Sequence, residues 1–155
     1  MTSAKREYLH LDDQTCFALY AATNAVVRAY RPMLAELGLT YPQYLVMLAL
    51  WQDGAMAAHQ LAARLQLGTS AITPLVDRLE AAGFLTRTRT PDRRVVTIAT
   101  TEAGRRLEGE AARAQRAVVG RIGLDEARLS ALRHELEGLT ARVSAPVDQA
   151  WDDVP

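Results

Sequence analysis

Apolar and small positions recur every three to four residues from Cys16 through Leu19, Tyr20, Thr23, Val26, Val27 and Tyr30, which places them on one stripe of a single helix. That helix is expected to reach about Leu37, with Asp12 as its candidate N-cap and Gly38 at its C-terminal cap. Thr40-Tyr41-Pro42-Gln43 then opens a second helix, with Thr at the cap, Pro in the first turn and Gln three residues after the cap. It runs through Leu45, Met47, Leu48 and Leu50 to about Gln52, and Asp53-Gly54 ends it. Two shorter helices follow, 57–65 and roughly 69–82, joined by a tight turn at Gln66-Leu67-Gly68. In the second of these, Ile72, Leu75, Val76 and Leu79 point inward and leave Ser70, Ala71, Thr73, Pro74, Asp77 and Arg78 nearer the other side. Pro74 is expected near the first turn, where a missing N–H costs least, and Gly83 stops the helix.

The period changes to two at Phe84–Arg89 and at Val95–Thr100, segments rich in Thr and Val that read as strands joined by Thr90-Pro91-Asp92-Arg93-Arg94. Helix resumes at Thr101 or Glu102 and continues to about Val119. A break is expected around 120–123, and a last helix starts near Asp125 with Leu129, Leu132, Leu136, Leu139 and Val143 as its stripe. The fold class is therefore mainly α with a small β-hairpin. Helix-turn-helix followed by a hairpin with arginines at its tip is a winged helix-turn-helix. The leucine stripes on the N- and C-terminal helices favour a dimerisation region.

Composition narrows the class. The chain has 155 residues, about half of them apolar, and reads as one unit long enough to bury a core. Its longest apolar run, Tyr44 to Trp51, is far short of the ~20 residues that span a bilayer. The N-terminus lacks a signal-peptide pattern, and the lone cysteine suits a reducing compartment, so a cytoplasmic location is expected and no membrane partner. Net charge is zero, yet Thr69 through Arg106 holds seven arginines against four carboxylates. An excess of three positive charges there focuses an anionic partner onto one face. His10, His59 and His134 are scattered, and no cluster has metal-ligand spacing; neither a metal nor another cofactor is expected. No Gly-rich phosphate loop or Ser/His/Asp arrangement supports an enzyme.

Several segments together resemble the MarR family of dimeric transcription regulators, and within it the OhrR-type organic hydroperoxide sensors with a single cysteine. They are Cys16-Phe17-Ala18-Leu19-Tyr20, Ala29-Tyr30-Arg31-Pro32, Leu37-Gly38-Leu39-Thr40-Tyr41-Pro42-Gln43-Tyr44, Thr73-Pro74-Leu75 with Arg78-Leu79-Glu80, and Asp92-Arg93-Arg94 leading to Thr101-Glu102-Ala103-Gly104. The wing motif is shared by the whole family, whereas the cysteine and tyrosine set is specific to the sensor branch. On this resemblance residues 1–155 form one unit, with 10–37 and 102–150 as dimerisation helices and 41–101 as the DNA-binding lobe. The entry to the recognition helix, Gly68-Thr69-Ser70-Ala71, departs from the sensor pattern.

The resemblance implies a redox site in which Tyr20 lies beside Cys16 while Tyr30 and Tyr41 reach it from the other subunit. Helix geometry agrees for Tyr30: fourteen residues at about 1.5 Å rise put it roughly 21 Å from Cys16 along the axis, so only an antiparallel copy can bring the two together. Cys16 is expected about one turn inside its helix, where the positive dipole end and phenol donors favour a thiolate, with Asp12 and Asp13 opposing in part. Such a thiolate attacks a peroxide to give a sulfenic acid, and with no second cysteine the capping partner is a small cellular thiol. The opposing readings are plain packing: Cys16 as a buried small hydrophobe, Tyr20 and Tyr30 as core aromatics, Tyr41 as a staple for its helix.

For DNA, the second helix of the motif enters the major groove, making Thr69, Ser70, Thr73 and Arg78 candidates for base or phosphate contact and Pro74 an apolar surface for a thymine methyl. The resemblance makes Arg94 a minor-groove arginine oriented by Asp92, with Arg93 at a phosphate. Arg87, Arg89, Arg105 and Arg106 divide evenly between phosphate contacts and a solvated face. Two wings per dimer imply a pseudo-palindromic operator. The expected function is a homodimeric repressor released from double-stranded DNA by an organic hydroperoxide. Two alternatives stand beside it: a repressor answering to a small aromatic ligand with Cys16 structural, and a thiol peroxidase.

Overall fold

A computed structural model describes residues 10–89, 91 and 94–144. After a 3-10 turn at Leu11–Asp13 come α1 (Thr15–Glu36), α2 (Tyr41–Asp53), β1 (Met56–Ala57), α3 (Ala58–Leu65), α4 (Thr69–Ala81), β2 (Leu85–Arg89), β3 (Val96–Thr100), α5 (Glu102–Ile122) and α6 (Glu126–Ser144). The chain divides into two compact units, 1–118 and 119–155, with the division inside α5. No single helix among the described residues is long and apolar enough to cross a membrane.

Local chemistry sets most boundaries. At the end of α1, Leu39 N–H bonds Leu34 O at 2.9 Å and Gly38 N–H bonds Ala35 O at 3.0 Å, with Gly38 at φ +71°. This Schellman closure needs a left-handed residue that glycine supplies at least cost. α4 ends the same way, through Phe84 N–H to Leu79 O at 2.9 Å and Gly83 N–H to Glu80 O at 2.9 Å. Phe84 is thereby held by the helix end, and β2 starts at Leu85 rather than at Phe84. At the start of α2, Thr40 Oγ1 accepts from Gln43 N–H and Gln43 Oε1 accepts from Thr40 N–H, the reciprocal capping box expected there.

Four local expectations are corrected. Asp12 does not cap α1: Gln14 N–H bonds Leu11 O at 3.1 Å in a 3-10 turn, and the extended cap residue is Gln14, so α1 opens at Thr15. Cys16 is therefore the second residue of α1 and sits in its first turn rather than one turn inside. Pro74 is the sixth residue of α4, because Gln66 takes the left-handed position (φ 55°) and Gly68 serves as the extended N-cap. Gly120 lies inside α5, and the break comes only at Gly123 (φ +71°). Asp125 caps α6 through Oδ1, which accepts Arg128 N–H at 2.8 Å.

The hairpin is part of a three-stranded antiparallel sheet in the order β1-β3-β2. β3 pairs on both sides, with Ile98 opposite Met56 on one and Arg87 on the other. Ile98 is fully buried and joins Leu34, Val46, Met47, Leu61, Ile72, Val76 and Leu79, the largest side chains shut from solvent. Each such burial contributes about 1.5–3 kcal/mol, so this shared centre fixes α2, α3, α4 and the sheet as one body. The unit from 119 onward contrasts with it: α6 buries no residue, and Leu132, Leu136 and Val143 are exposed.

Candidate DNA interface and thiol site

α4 turns Ile72, Val76 and Leu79 into the core, which obliges Thr69, Ser70, Thr73, Pro74, Asp77 and Arg78 to face outward, and all six are exposed. Thr73 Oγ1 leans back onto Thr69 O at 3.4 Å, a carbonyl one turn upstream. At the wing, Arg94 is exposed, while Asp92 and Arg93 lie outside the described residues.

Arg87 takes neither of the roles open to it from the sequence. Half-buried on β2, it reaches α4: one guanidinium nitrogen donates to Asp77 Oδ1 at 2.5 Å, the other to Glu80 Oε2, and its backbone N–H donates to Glu80 Oε1 at 3.2 Å. Arg105 and Arg106 both pair with Glu102 on their own helix, and Arg105 also donates to Thr100 O at 2.9 Å. Those arginines, with the hydrogen bond from Arg105 foremost, hold the Glu102 carboxyl below its ordinary range.

The junction between the wing and α5 is tightly built. Thr101 N–H donates to Phe84 O at 3.0 Å, Thr101 Oγ1 donates to Gly83 O at 2.6 Å and accepts Gly104 N–H at 3.1 Å, and Trp51 Nε1 donates to Gly104 O at 3.1 Å. The last turn of α2, the end of α4 and the first turn of α5 therefore meet at one point.

The thiol candidates separate into two groups. Cys16 is exposed, as are Phe17 and Tyr20, the latter 66 % accessible, so within one chain Cys16 is not a core residue. Tyr30 is only 7 % accessible and belongs to the core. Its ring centroid lies 5.2 Å from that of Tyr41 and 5.4 Å from that of Tyr44, and Tyr41 and Tyr44 are 5.9 Å apart. Burial raises the pKa of all three phenols above the ordinary 10, reinforced at Tyr44 by Tyr30 and Tyr41 and at Tyr30 by Tyr41, where the hydrogen bond with Tyr44 opposes it in part, so each keeps a proton to donate at neutral pH. Tyr44 was not among the site candidates, although its place three residues after Tyr41 puts both on one face of α2. Beside this cluster is a cavity of about 360 Å³ lined by Val27, Arg31, Ala35, Leu39, Thr40, Tyr41 and Pro42. Among the described residues no group of His, Cys, Asp and Glu is placed to hold a metal.

An exposed polar face on the second helix of a helix-turn-helix, flanked by a β-hairpin and anchored on a shared core, defines a winged-helix DNA-binding protein. The MarR family pattern matches residues 39–96, from the turn between α1 and α2 to the start of β3. The chain is 43 % identical over 148 residues to the HTH-type transcriptional regulator TtmR of Methylorubrum extorquens, covering 90 % of this chain and 76 % of that protein. It is 37 % identical over 108 residues to the organic hydroperoxide resistance transcriptional regulator of Bacillus subtilis, covering 69 % and 74 %. The solved structure of reduced AbfR bound to DNA superimposes with a TM-score of 0.74 at 27 % identity, covering 90 % of this chain and 98 % of that one, and AbfR bound to DNA in an overoxidised state does so at 0.73. The chain belongs to the MarR family and is a DNA-binding transcriptional regulator, not an enzyme. The family is dimeric.

Proposed function

We propose that this protein is a cytoplasmic homodimeric repressor that leaves a pseudo-palindromic operator when an organic hydroperoxide oxidises Cys16. The observation that carries this reading is an exposed thiol in the first turn of α1, with exposed Phe17 and Tyr20 next to it, in a chain similar to a hydroperoxide resistance regulator. Residues 10–37 and 102–150 form the dimerisation region in this reading, and 41–101 the DNA-binding lobe. Across the two-fold axis, Tyr30 and Tyr41 of one subunit donate hydrogen bonds to the thiolate of the other, which their retained protons allow.

The sulfur attacks one peroxide oxygen; an S–O bond forms, the O–O bond breaks, and the alkoxide takes a proton to leave as the alcohol. Sulfur is oxidised by two electrons to the sulfenic acid. A small cellular thiol then replaces the hydroxyl as a mixed disulfide, releasing water. That bulk displaces the tyrosines and shifts the spacing of the two lobes, and a dimer matched to one half-site distance loses both grooves together. Thr69, Ser70, Thr73, Pro74 and Arg78 contact the major groove and its phosphates, while Arg94 enters the minor groove oriented by Asp92 and Arg93 reaches a phosphate.

The test adds cumene hydroperoxide, with and without a small thiol, to reduced protein on its operator and reads both release and the mass of the Cys16 peptide. Release of the wild type and none of Cys16→Ser is expected. No release of the wild type, or release that persists in Cys16→Ser, overturns the reading. The cavity at Arg31 and Tyr41 favours a second one, in which a small aromatic anion is the effector and Cys16 is structural. Binding of phenolic acids, unchanged in Cys16→Ala and coupled to DNA release, selects it.

A further inference from the structure

We propose that Arg87 is a positioning residue for DNA binding, whose grip on Asp77 and Glu80 sets the angle of the wing to α4 and cancels charge on the DNA-facing side of that helix. This rests on α4 being the helix that faces DNA. Asp77 stands four residues after Thr73 and three after Pro74, so its carboxylate shares their exposed face. A duplex presents one negative charge per about 1.7 Å of its axis, and a bare carboxylate on the helix that enters it is repelled. Glu80, one turn further along, is a second such charge.

Arg87 comes from a different element. Its guanidinium bridges both carboxylates while its backbone N–H holds Glu80 from the strand itself, giving three points of attachment between β2 and α4. Arg87 also sits opposite Ile98, whose side chain is fully buried, so the clamp refers the wing's position to the core. A planar fork can grip two carboxylates in this way; a single ammonium holds its charge at one point and cannot reproduce that geometry. With the arginine engaged, the three groups carry a net single negative charge, and the cation is withheld from the phosphates.

The experiment compares full-length wild type, R87M, R87K and the triple variant D77N/E80Q/R87M on two duplexes. One duplex is enriched by the wild type from a random-sequence library, and the other is a scrambled duplex of the same composition. Fluorescence anisotropy gives affinities between 50 and 200 mM salt. R87M is expected to lose roughly tenfold on the enriched duplex and a smaller factor, from the uncancelled carboxylates, on the scrambled one, with the slope of log affinity against log salt unchanged. R87K regains part of the loss. The triple variant restores affinity for the scrambled duplex, because the repulsion is gone, but not for the enriched one, because the wing is no longer held. If R87M fails to fold, the triple variant, which leaves no unpaired carboxylate, carries the comparison. A slope that falls by about 0.9 shows a phosphate contact in place of a clamp, and R87M or the triple variant binding both duplexes like the wild type shows no role; either result overturns the proposal. A wild type that enriches no duplex removes the DNA-facing assignment of α4, and the proposal with it, which is a different failure from both.

Discussion

Replacing Gly104 with alanine tests the junction that joins the wing to α5. A Cβ built at Gly104 lies 2.2 Å from Phe84 O, 3.1 Å from Phe84 C and 3.2 Å from Met47 Cε. Carbon–oxygen contacts settle at about 3.3 Å or more, so the first turn of α5 must retreat by more than about 1 Å. The obstacle cannot swing aside, because Phe84 O is a backbone atom that already accepts Thr101 N–H at 3.0 Å. Retreat stretches that bond together with Thr101 Oγ1 to Gly83 O and Trp51 Nε1 to Gly104 O. Two partly buried hydrogen bonds at about 1 kcal/mol each, the Thr101 Oγ1 bond being exposed and adding little, plus overpacking of about 1–3 kcal/mol, are offset by about 1 kcal/mol of helix propensity gained over glycine. The expected net loss is about 2–4 kcal/mol, or roughly 5–15 °C in melting temperature for a chain of this size. Thermal and urea unfolding followed by circular dichroism measures it. Gly109→Ala on the same helix is the control, since nothing lies within 4 Å of its Cβ; it should stabilise by about 0.5–1 kcal/mol. If Gly104→Ala melts at or above the control, the close approach of α5 to Phe84 is not what selects glycine there.

Two further outcomes are expected. The double variant Leu132→Glu and Leu136→Glu places charges on the exposed stripe of α6, so it should sediment as a helical monomer where the wild type sediments as a dimer; dimers that survive both changes place the interface elsewhere. Glu102 is a carboxyl held below its ordinary value of 4.5 by Arg105 and Arg106, so its contribution is fully present above pH 4.5 and fades as pH falls through the lowered folded value. Glu102→Gln should therefore melt below the wild type at pH 7, with the gap closing at strongly acidic pH, and a gap that widens toward acid contradicts that sign.

Much of the fold was legible because its signals are local. The Thr40/Gln43 box, the left-handed glycines at 38 and 83, the inward stripe of α4 and the Thr/Val alternation of β2 and β3 each depend on residues within one or two turns of each other. Errors fell where two local signals competed. Asp12 reads as a cap in isolation, but the 3-10 turn around it moves the helix start to Thr15. Gly68 reads as the turn residue, but Gln66 takes that conformation and leaves Pro74 in the second turn.

What the sequence by itself determined is the order of elements, the outward face of α4 with Thr69, Ser70, Thr73, Pro74 and Arg78, and the stripe that runs from Cys16 to Tyr30. Tertiary structure alone decided the rest. β1 is two residues long, too short to show any alternation, and exists because β3 offers it a partner. The Tyr30 cluster needs the turn after α1 to fold α2 back, which brings Tyr41 and Tyr44 within 6 Å of it. Arg87 reads in sequence as either a phosphate contact or a solvated charge, and only the packing of β2 beside α4 shows that Asp77 and Glu80 already hold it. The physical reason is the same in each case: periodicity and capping act between neighbours along the chain, whereas the partner of a charge or a phenol is chosen by which elements the core brings side by side.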